Sequence, residues 1–208
     1  MGITKTDILL LEKYITPETK TVCELGSQNL YIDDNPTPPF ASKWYQDKGL
    51  EYHCIDLAGD NGAITYDLAY YIPFGFPFDL VTDFGTSEHV VQMDGMKKVS
   101  FHDGHIHSVY PDGIKSIEAG FYKCIMNKHF LLKVGGICIS VNPKTGQWKG
   151  HGYSYYTKEF YTELCRIMEY ELLELGEYGG QIFCIFRKVN DTEFMSEEEF
   201  SKLDIRKE

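Results

Sequence analysis

Two regimes of apolar and polar positions alternate along the 208-residue chain: short apolar runs that stop on acids or glycines, and longer stretches with helical spacing. The leading segment TKTDILLLEKYI, residues 4–15, joins a Thr4-x-x-Asp7 start to apolar positions at Ile8, Leu11 and Ile15, which predicts a capped helix. KTVCEL (20–25) and EYHCID (51–56) read as two buried parallel strands. Between them, three prolines in the four positions 36–39 exclude regular structure, and Ser42 to Lys48 begins a helix, so 30–45 reads as an inserted lid. AITYDL (63–68) and FDLVTDFG (78–85) predict a third and a fourth strand, and SEHVVQMDGMKKV (87–99) a helix after the fourth.

Residues 99–117, rich in His, Gly, Asp and Pro, read as a loop and a second lid over 93–117. AGFYKCIMNKHFLL (119–132) has helical spacing closed by the KVGG glycine stop, and GGICISVN (135–142) is a fifth strand. A helix opened by Thr157 runs to about Met168, and YELLELGEYGGQIFCIFRK (170–188) folds as two strands about a Gly179-Gly180 turn. The charged tail 190–208 reads as a solvated terminal helix or a frayed end. Alternating strands and helices imply one α/β domain, residues 1–189, with a parallel sheet covered on both faces.

Composition narrows the class. No apolar run approaches the roughly 18 residues that span a bilayer, and the N-terminus has no basic start or small-residue cleavage site, so a cytoplasmic protein is expected. The six cysteines lack C-x-x-C spacing and lie in apolar runs, as buried reduced thiols do. A formal charge of −11 disfavours nucleic acid as a partner. The many aromatics, 15 Tyr and 13 Phe, suit a pocket for a small molecule.

In an open α/β sheet, ligands bind outside the carboxyl ends of the strands. The first such end, CELGSQN, sets Glu24 and Gly26 where the chain turns tightly: the glycine lets a ligand approach, and the acid can take an ammonium. The second ends on Asp56, whose carboxylate can accept from both hydroxyls of a ribose. G-x-G-x-x-G is missing, with Gly26 alone in that region, so a pyrophosphate cradle is disfavoured.

In the order of these motifs the chain resembles the class I S-adenosylmethionine-dependent methyltransferases over about residues 20–188. ELGSQN resembles motif I, HCID motif II, ITYDL the adenine-facing segment, and FDLVTDFGTSEHV motif IV with its turn; HFLLKVGGICISV and the terminal hairpin follow in the family's order. The resemblance implies a Rossmann-like fold: a mostly parallel seven-stranded sheet, a reversed last strand and helices on both faces. It implies S-adenosylmethionine as cofactor, with Glu24 and Gly26 facing its amino-acid part and Ser27 among the cofactor-binding residues. Asp56 and Leu57 would face the ribose, Asp67 and Leu68 the adenine, and Asp83, Phe84 and Gly85 the methionine side. Two departures stand out: motif I lacks its second and third glycines, and about thirty residues separate Glu24 from Asp56 where about twenty are usual.

Glu88 and His89 follow the fourth strand, and His151 follows the fifth, in KGHGYSYY; these are the candidate catalytic groups, an imidazole being able to take a hydroxyl proton. His89 as a helix cap, His151 as pocket lining and Asp67 as a turn cap are the bland alternatives. The cluster His102, Asp103, His105 and His107 has metal-ligand residue types but no familiar spacing, and reads as a substrate loop with no metal assigned. The expected activity is methyl transfer to an O or N atom of a small polar acceptor, a metabolite or sugar. The rivals are a catalytically silent domain of the same fold and a nicotinamide-dependent oxidoreductase.

Overall fold

A computed structural model describes residues 2–32, 37–73, 77–91, 98–102, 105–109 and 117–206. A short strand β1 (Gly2–Thr4) leads into helix α1 (Lys5–Tyr14), whose capping box is made as expected: the Thr4 hydroxyl and the Asp7 carboxylate satisfy each other's backbone N–H groups. The apolar runs follow as β2 (Thr21–Leu25), β3 (Asn29–Tyr31), β4 (Glu51–Asp56), β5 (Ile64–Thr65) and β6 (Phe78–Phe84), with α2 (Ala41–Asp47) crossing from β3 to β4. After a hairpin, β7 (Lys98–His102) and β8 (His105–Val109), come α3 (Ile117–Leu131), β9 (Leu132–Pro143), α4 (Lys158–Ile167), β10 (Glu171–Tyr178), β11 (Gln181–Arg187) and α5 (Glu197–Phe200).

Seven strands form one sheet in the order β10-β11-β9-β6-β2-β4-β5, with β11 antiparallel to both neighbours and β2, β4, β5, β6 and β9 mutually parallel. This is the sheet expected from the sequence, reversed last strand included. Its two faces carry separate cores: Leu11, Ala41 and Tyr45 from α1 and α2 on one, and Phe121, Phe160 and Phe200 from α3, α4 and α5 on the other. The six cysteines are buried and free. No helix among the described residues is long and apolar enough to cross a membrane.

Five expectations change. The helix expected over 87–99 is one 3-10 turn, Ser87–His89; Val90 is already extended at φ −82, ψ 122, and β-branched Val90 and Val91 do not continue a helix. Part of the expected loop 99–117 is the β7–β8 hairpin, which sets His102 opposite His105 and Ser100 opposite His107; Asp103 lies outside the described residues. The third strand keeps only two residues, at the sheet edge. KVGG is not the helix stop: α3 ends at Leu131, and the four residues lie in β9, where Gly135 has φ +86 and donates to the Lys188 carbonyl at 2.7 Å. Finally, the tail is not solvated throughout. Met195, Phe200 and Leu203 are buried in the α3/α4 core, the Ser196 capping box starts α5, and Arg206 exchanges backbone hydrogen bonds with Tyr155.

Within 30–45 the backbone is tied down at both ends. Leu30 donates to the Pro39 carbonyl at 2.7 Å and Ala41 to the Gln28 carbonyl at 2.9 Å, while α2 buries Ala41 and Tyr45. Residues 33–36 of that segment lie outside the described residues.

Candidate active site

The carboxyl ends of β2, β4, β6 and β9 bring the candidate residues to one edge of the sheet. Gly26 turns the chain after β2 at φ +78, the left-handed region that favours glycine, and its backbone N–H donates to the Ile55 carbonyl at 2.8 Å. A Cβ there would stand 2.2 Å from Thr86 Oγ1, so the glycine also admits the turn after β6. Thr86 latches the two turns together: its hydroxyl donates to the Leu25 carbonyl at 2.7 Å and accepts from Gln28 Nε2 at 3.0 Å.

Beside that latch sits the fully buried Glu24. Its Oε2 accepts from the Tyr52 hydroxyl at 2.7 Å and from the Gln28 backbone at 3.2 Å. Burial pushes the carboxyl up to about 8, against the downward pull of those hydrogen bonds. Its Oε1 has no hydrogen-bond partner among the described residues, nor do the buried Ser27 Oγ and Gln28 Oε1. Buried polar atoms are nearly always paired, so three orphans at one strand end mark a place built for something else to fill.

Asp56 ends β4 half-buried, with Oδ2 accepting from the Ser27 backbone at 2.7 Å and Oδ1 from that of Ala58 at 2.6 Å. These bonds use part of a carboxylate's acceptor capacity. Leu57 is half-buried beside it. Asp67 caps a turn, Oδ1 accepting from the Ala69 backbone at 2.9 Å, and burial raises its pKa. Leu68 is buried in the core of the α3 face.

The end of β6 differs from what its acid suggested. Asp83 is fully buried and its carboxylate is spent internally: Lys128 Nζ and the Ser87 hydroxyl contact Oδ2, Asn142 Nδ2 donates at 3.0 Å, and the Thr86 and Ser87 backbone N–H groups donate to Oδ1 at 3.1 Å each. Burial acts to raise Asp83, but the Lys128 ammonium and the hydrogen bonds from Ser87 and Asn142 together outweigh it and hold the carboxyl below its ordinary range; Asp83 in turn holds Lys128 above its own, against the pull of burial. Phe84 packs in the opposite core, and Gly85 turns at φ +74. What Asp83 does here is pin the 3-10 turn that carries Glu88 and His89.

Glu88 is buried completely, with His89 Nε2 3.6 Å and His151 Nε2 4.0 Å from its Oε1, while each imidazole stays about one quarter exposed, at 25% and 26%. Burial first, and the Asp83 charge second, push the Glu88 carboxyl well above the ordinary range. His151 reaches this point because its loop folds around the buried Tyr155 hydroxyl, which accepts from the backbone of His151 (2.9 Å) and Gly152 (3.2 Å) and donates to the Trp148 carbonyl (2.9 Å). Tyr153 and Ser154 donate to the Glu88 carbonyl at 2.8 and 3.2 Å, and a Cβ on Gly152 would fall 2.8 Å from Glu88 Cγ, so only glycine lets the loop close this tightly.

Glu24, Gly26, Ser27 and Asp56 therefore cluster at the β2–β4 edge, and Glu88, His89 and His151 at the β6–β9 edge. Lys128, Asn142, Tyr52, Thr86 and Gly152 were not anticipated. Lys128 carried a signal, since a lysine inside the apolar helical run IMNKHF needs a buried counter-charge.

No family model matches the sequence, and no curated protein matches it. Solved structures do. A 1,6-didemethyltoxoflavin-N1-methyltransferase from Burkholderia thailandensis, with bound 1,6-didemethyltoxoflavin and S-adenosylhomocysteine, superposes with a TM-score of 0.51 at 12% identity, over 83% of this chain and 72% of its own. A TehB-like SAM-dependent methyltransferase from Corynebacterium glutamicum gives 0.51 at 13% identity, over 86% and 85%. A Pyrococcus horikoshii protein gives 0.55 at 11% identity, over 88% and 89%. The chain has the fold of the class I methyltransferases.

Proposed function

We propose that the protein transfers the methyl group of S-adenosylmethionine to an O or N atom of a small polar acceptor, a metabolite or sugar. The observation that carries this reading is the orphaned set at the end of β2: Glu24 Oε1, Ser27 Oγ and Gln28 Oε1, buried and without hydrogen-bond partners among the described residues. Two acceptors and a hydroxyl suit the ammonium and carboxylate of an amino acid, and Asp56, at the end of the adjacent β4, suits a ribose. One glycine at this turn gives no cradle for a pyrophosphate, which argues against a dinucleotide. The Burkholderia neighbour, which binds S-adenosylhomocysteine and a small acceptor, supports the same pairing.

When bound, the cofactor supplies a methyl group on a sulfonium, displaced in line by the acceptor, so positioning provides most of the rate. Glu24, Gly26, Ser27 and Gln28 would hold the amino-acid part, Asp56 and Leu57 the ribose, and Asp67 and Leu68 the adenine. Asp83 we assign to positioning the Ser87–His89 turn, not to contacting the cofactor. His89 or His151, each about one quarter exposed beside the buried Glu88, takes the acceptor's proton. Segments 30–45 and 93–117 follow the first and fourth strands, where substrate selection is built in such a sheet, and we assign them that role; residues 33–36, 93–97, 103–104 and 110–116 of them lie outside the described residues. Buried free thiols suit a reducing compartment, and we place the protein in the cytoplasm.

Calorimetric titration with S-adenosylhomocysteine tests the reading, with Asp56→Ala as variant and NAD as control ligand. Micromolar binding weakened in the variant, with NAD inert, is the expected result. A wild-type protein that binds neither ligand would point to a silent domain, and NAD binding to an oxidoreductase.

A further inference from the structure

The meeting of Glu88, His89 and His151 asks for more than proton transfer. Neither oxygen of the fully buried Glu88 has a hydrogen-bond partner among the described residues, and the two imidazole nitrogens stand 3.6 and 4.0 Å from Oε1, beyond hydrogen-bonding reach. A carboxyl so placed needs a partner of its own. One ligand atom from each of the three residues lies within 4.8 Å of the others. Donors around one ion, at about 2.1 Å each, stand roughly 3.0–3.4 Å apart in octahedral or tetrahedral geometry. Closing from within 4.8 Å to that spacing is the movement that metal binding requires.

We propose that Glu88, His89 and His151 form a binding site for one divalent transition-metal ion of the manganese-to-zinc series. Two imidazoles and one carboxylate are the donor set of borderline ions, whereas calcium and magnesium favour oxygen alone. The scaffold is prepared in advance, as metal sites require: Asp83 pins the 3-10 turn, Tyr155 holds the His151 loop, and Gly152 lets the two touch. Three protein donors leave positions for water or for an oxygen of a hydroxylated acceptor. That last use rests on the methyl-transfer reading; the metal site itself does not. The His102, His105 and His107 hairpin is a separate element.

The full-length chain, stripped with chelator, is titrated with Co²⁺ and followed by visible absorption, then with Zn²⁺ in competition. The expected result is one equivalent bound, weakened at least about 100-fold in both Glu88→Gln and His151→Asn. Thermal melts of the metal-free variants check folding, and the partly exposed His151 keeps the test usable if Glu88→Gln unfolds. Failure to bind millimolar Co²⁺ overturns the site. So does binding unchanged in His151→Asn but lost when His102, His105 and His107 are replaced, or binding with thiolate charge-transfer bands. S-adenosylhomocysteine is titrated into the same metal-free samples. Binding there without any cobalt site leaves the methyl-donor reading standing alone, and cobalt binding without it leaves only the metal site.

Discussion

If Glu24 receives the ammonium of the methyl donor, cofactor affinity must rise with pH across the range where most side chains are silent. Burial holds Glu24 up to about 8, so in the free protein it is mostly protonated at neutral pH. An ammonium favours the carboxylate, and binding must expel that proton. From pH 6 to 7.5 the ionised fraction rises on the order of 20-fold for a group titrating near 8, equivalent to about 2 kcal/mol of binding free energy. The Kd for S-adenosylhomocysteine should fall by that order and then level off near pH 8. Calorimetry in two buffers of different ionisation enthalpy should find nearly one proton released at pH 6.5. Glu24→Gln, which keeps an acceptor for Tyr52 and the Gln28 backbone, should bind more weakly at pH 8 and show no slope. A flat wild-type profile, or a slope that survives in the variant, would refute the assignment. The same raised pKa bears on folding. The unfolded chain ionises this residue near the ordinary value and the folded chain does not, so its contribution to stability is complete at low pH and is lost as pH rises through about 8.

Lys128→Met leaves Asp83 buried and uncompensated, and should cost about 3–5 kcal/mol by denaturant unfolding; the double variant with Asp83→Leu should recover part of that loss. Gly152→Ala, whose Cβ would meet Glu88 Cγ at 2.8 Å, should part the His151 loop from the turn and weaken Co²⁺ binding while sparing S-adenosylhomocysteine. Phe200→Ala should lower stability by about 3–5 kcal/mol, as for a core phenylalanine; less than 1 kcal/mol in a melt would mean the tail is not docked. Deleting 93–117 should abolish turnover with cofactor affinity intact, and loss of both in calorimetry would contradict a separate substrate role.

The sheet was legible because its strands are continuous apolar runs closed by Leu25-Gly26, Asp56 and Gly85, a pattern that parallel burial imposes locally. The caps at Thr4 and Thr157 were equally local. What was missed depends on partners far along the chain or on signals too short to stand out. An acid at a strand end reads as ligand-facing, yet Asp83 is claimed by Lys128, 45 residues later. Averaging over the charged tail hid Met195, Phe200 and Leu203, since three well-placed apolar residues are enough to dock it. KVSFH-DG-HIHSV held an Asp-Gly hairpin signal between alternating residues, obscured by its histidines and polar flanks. At the site, Glu24, Gly26 and Asp56 were readable as residues, whereas the orphaned oxygens that give them meaning exist only in the folded chain.

If Glu24 Oε1, Ser27 Oγ, Gln28 Oε1 and the neighbouring Asp56 hold the methyl donor, a crystal structure of the chain grown with S-adenosylhomocysteine will show it there. The amino-acid moiety should lie within hydrogen-bonding distance of Glu24 Oε1, Ser27 Oγ and Gln28 Oε1, with the ribose on Asp56. A ligand bound elsewhere, or those four residues left untouched by a well-ordered ligand, would contradict it.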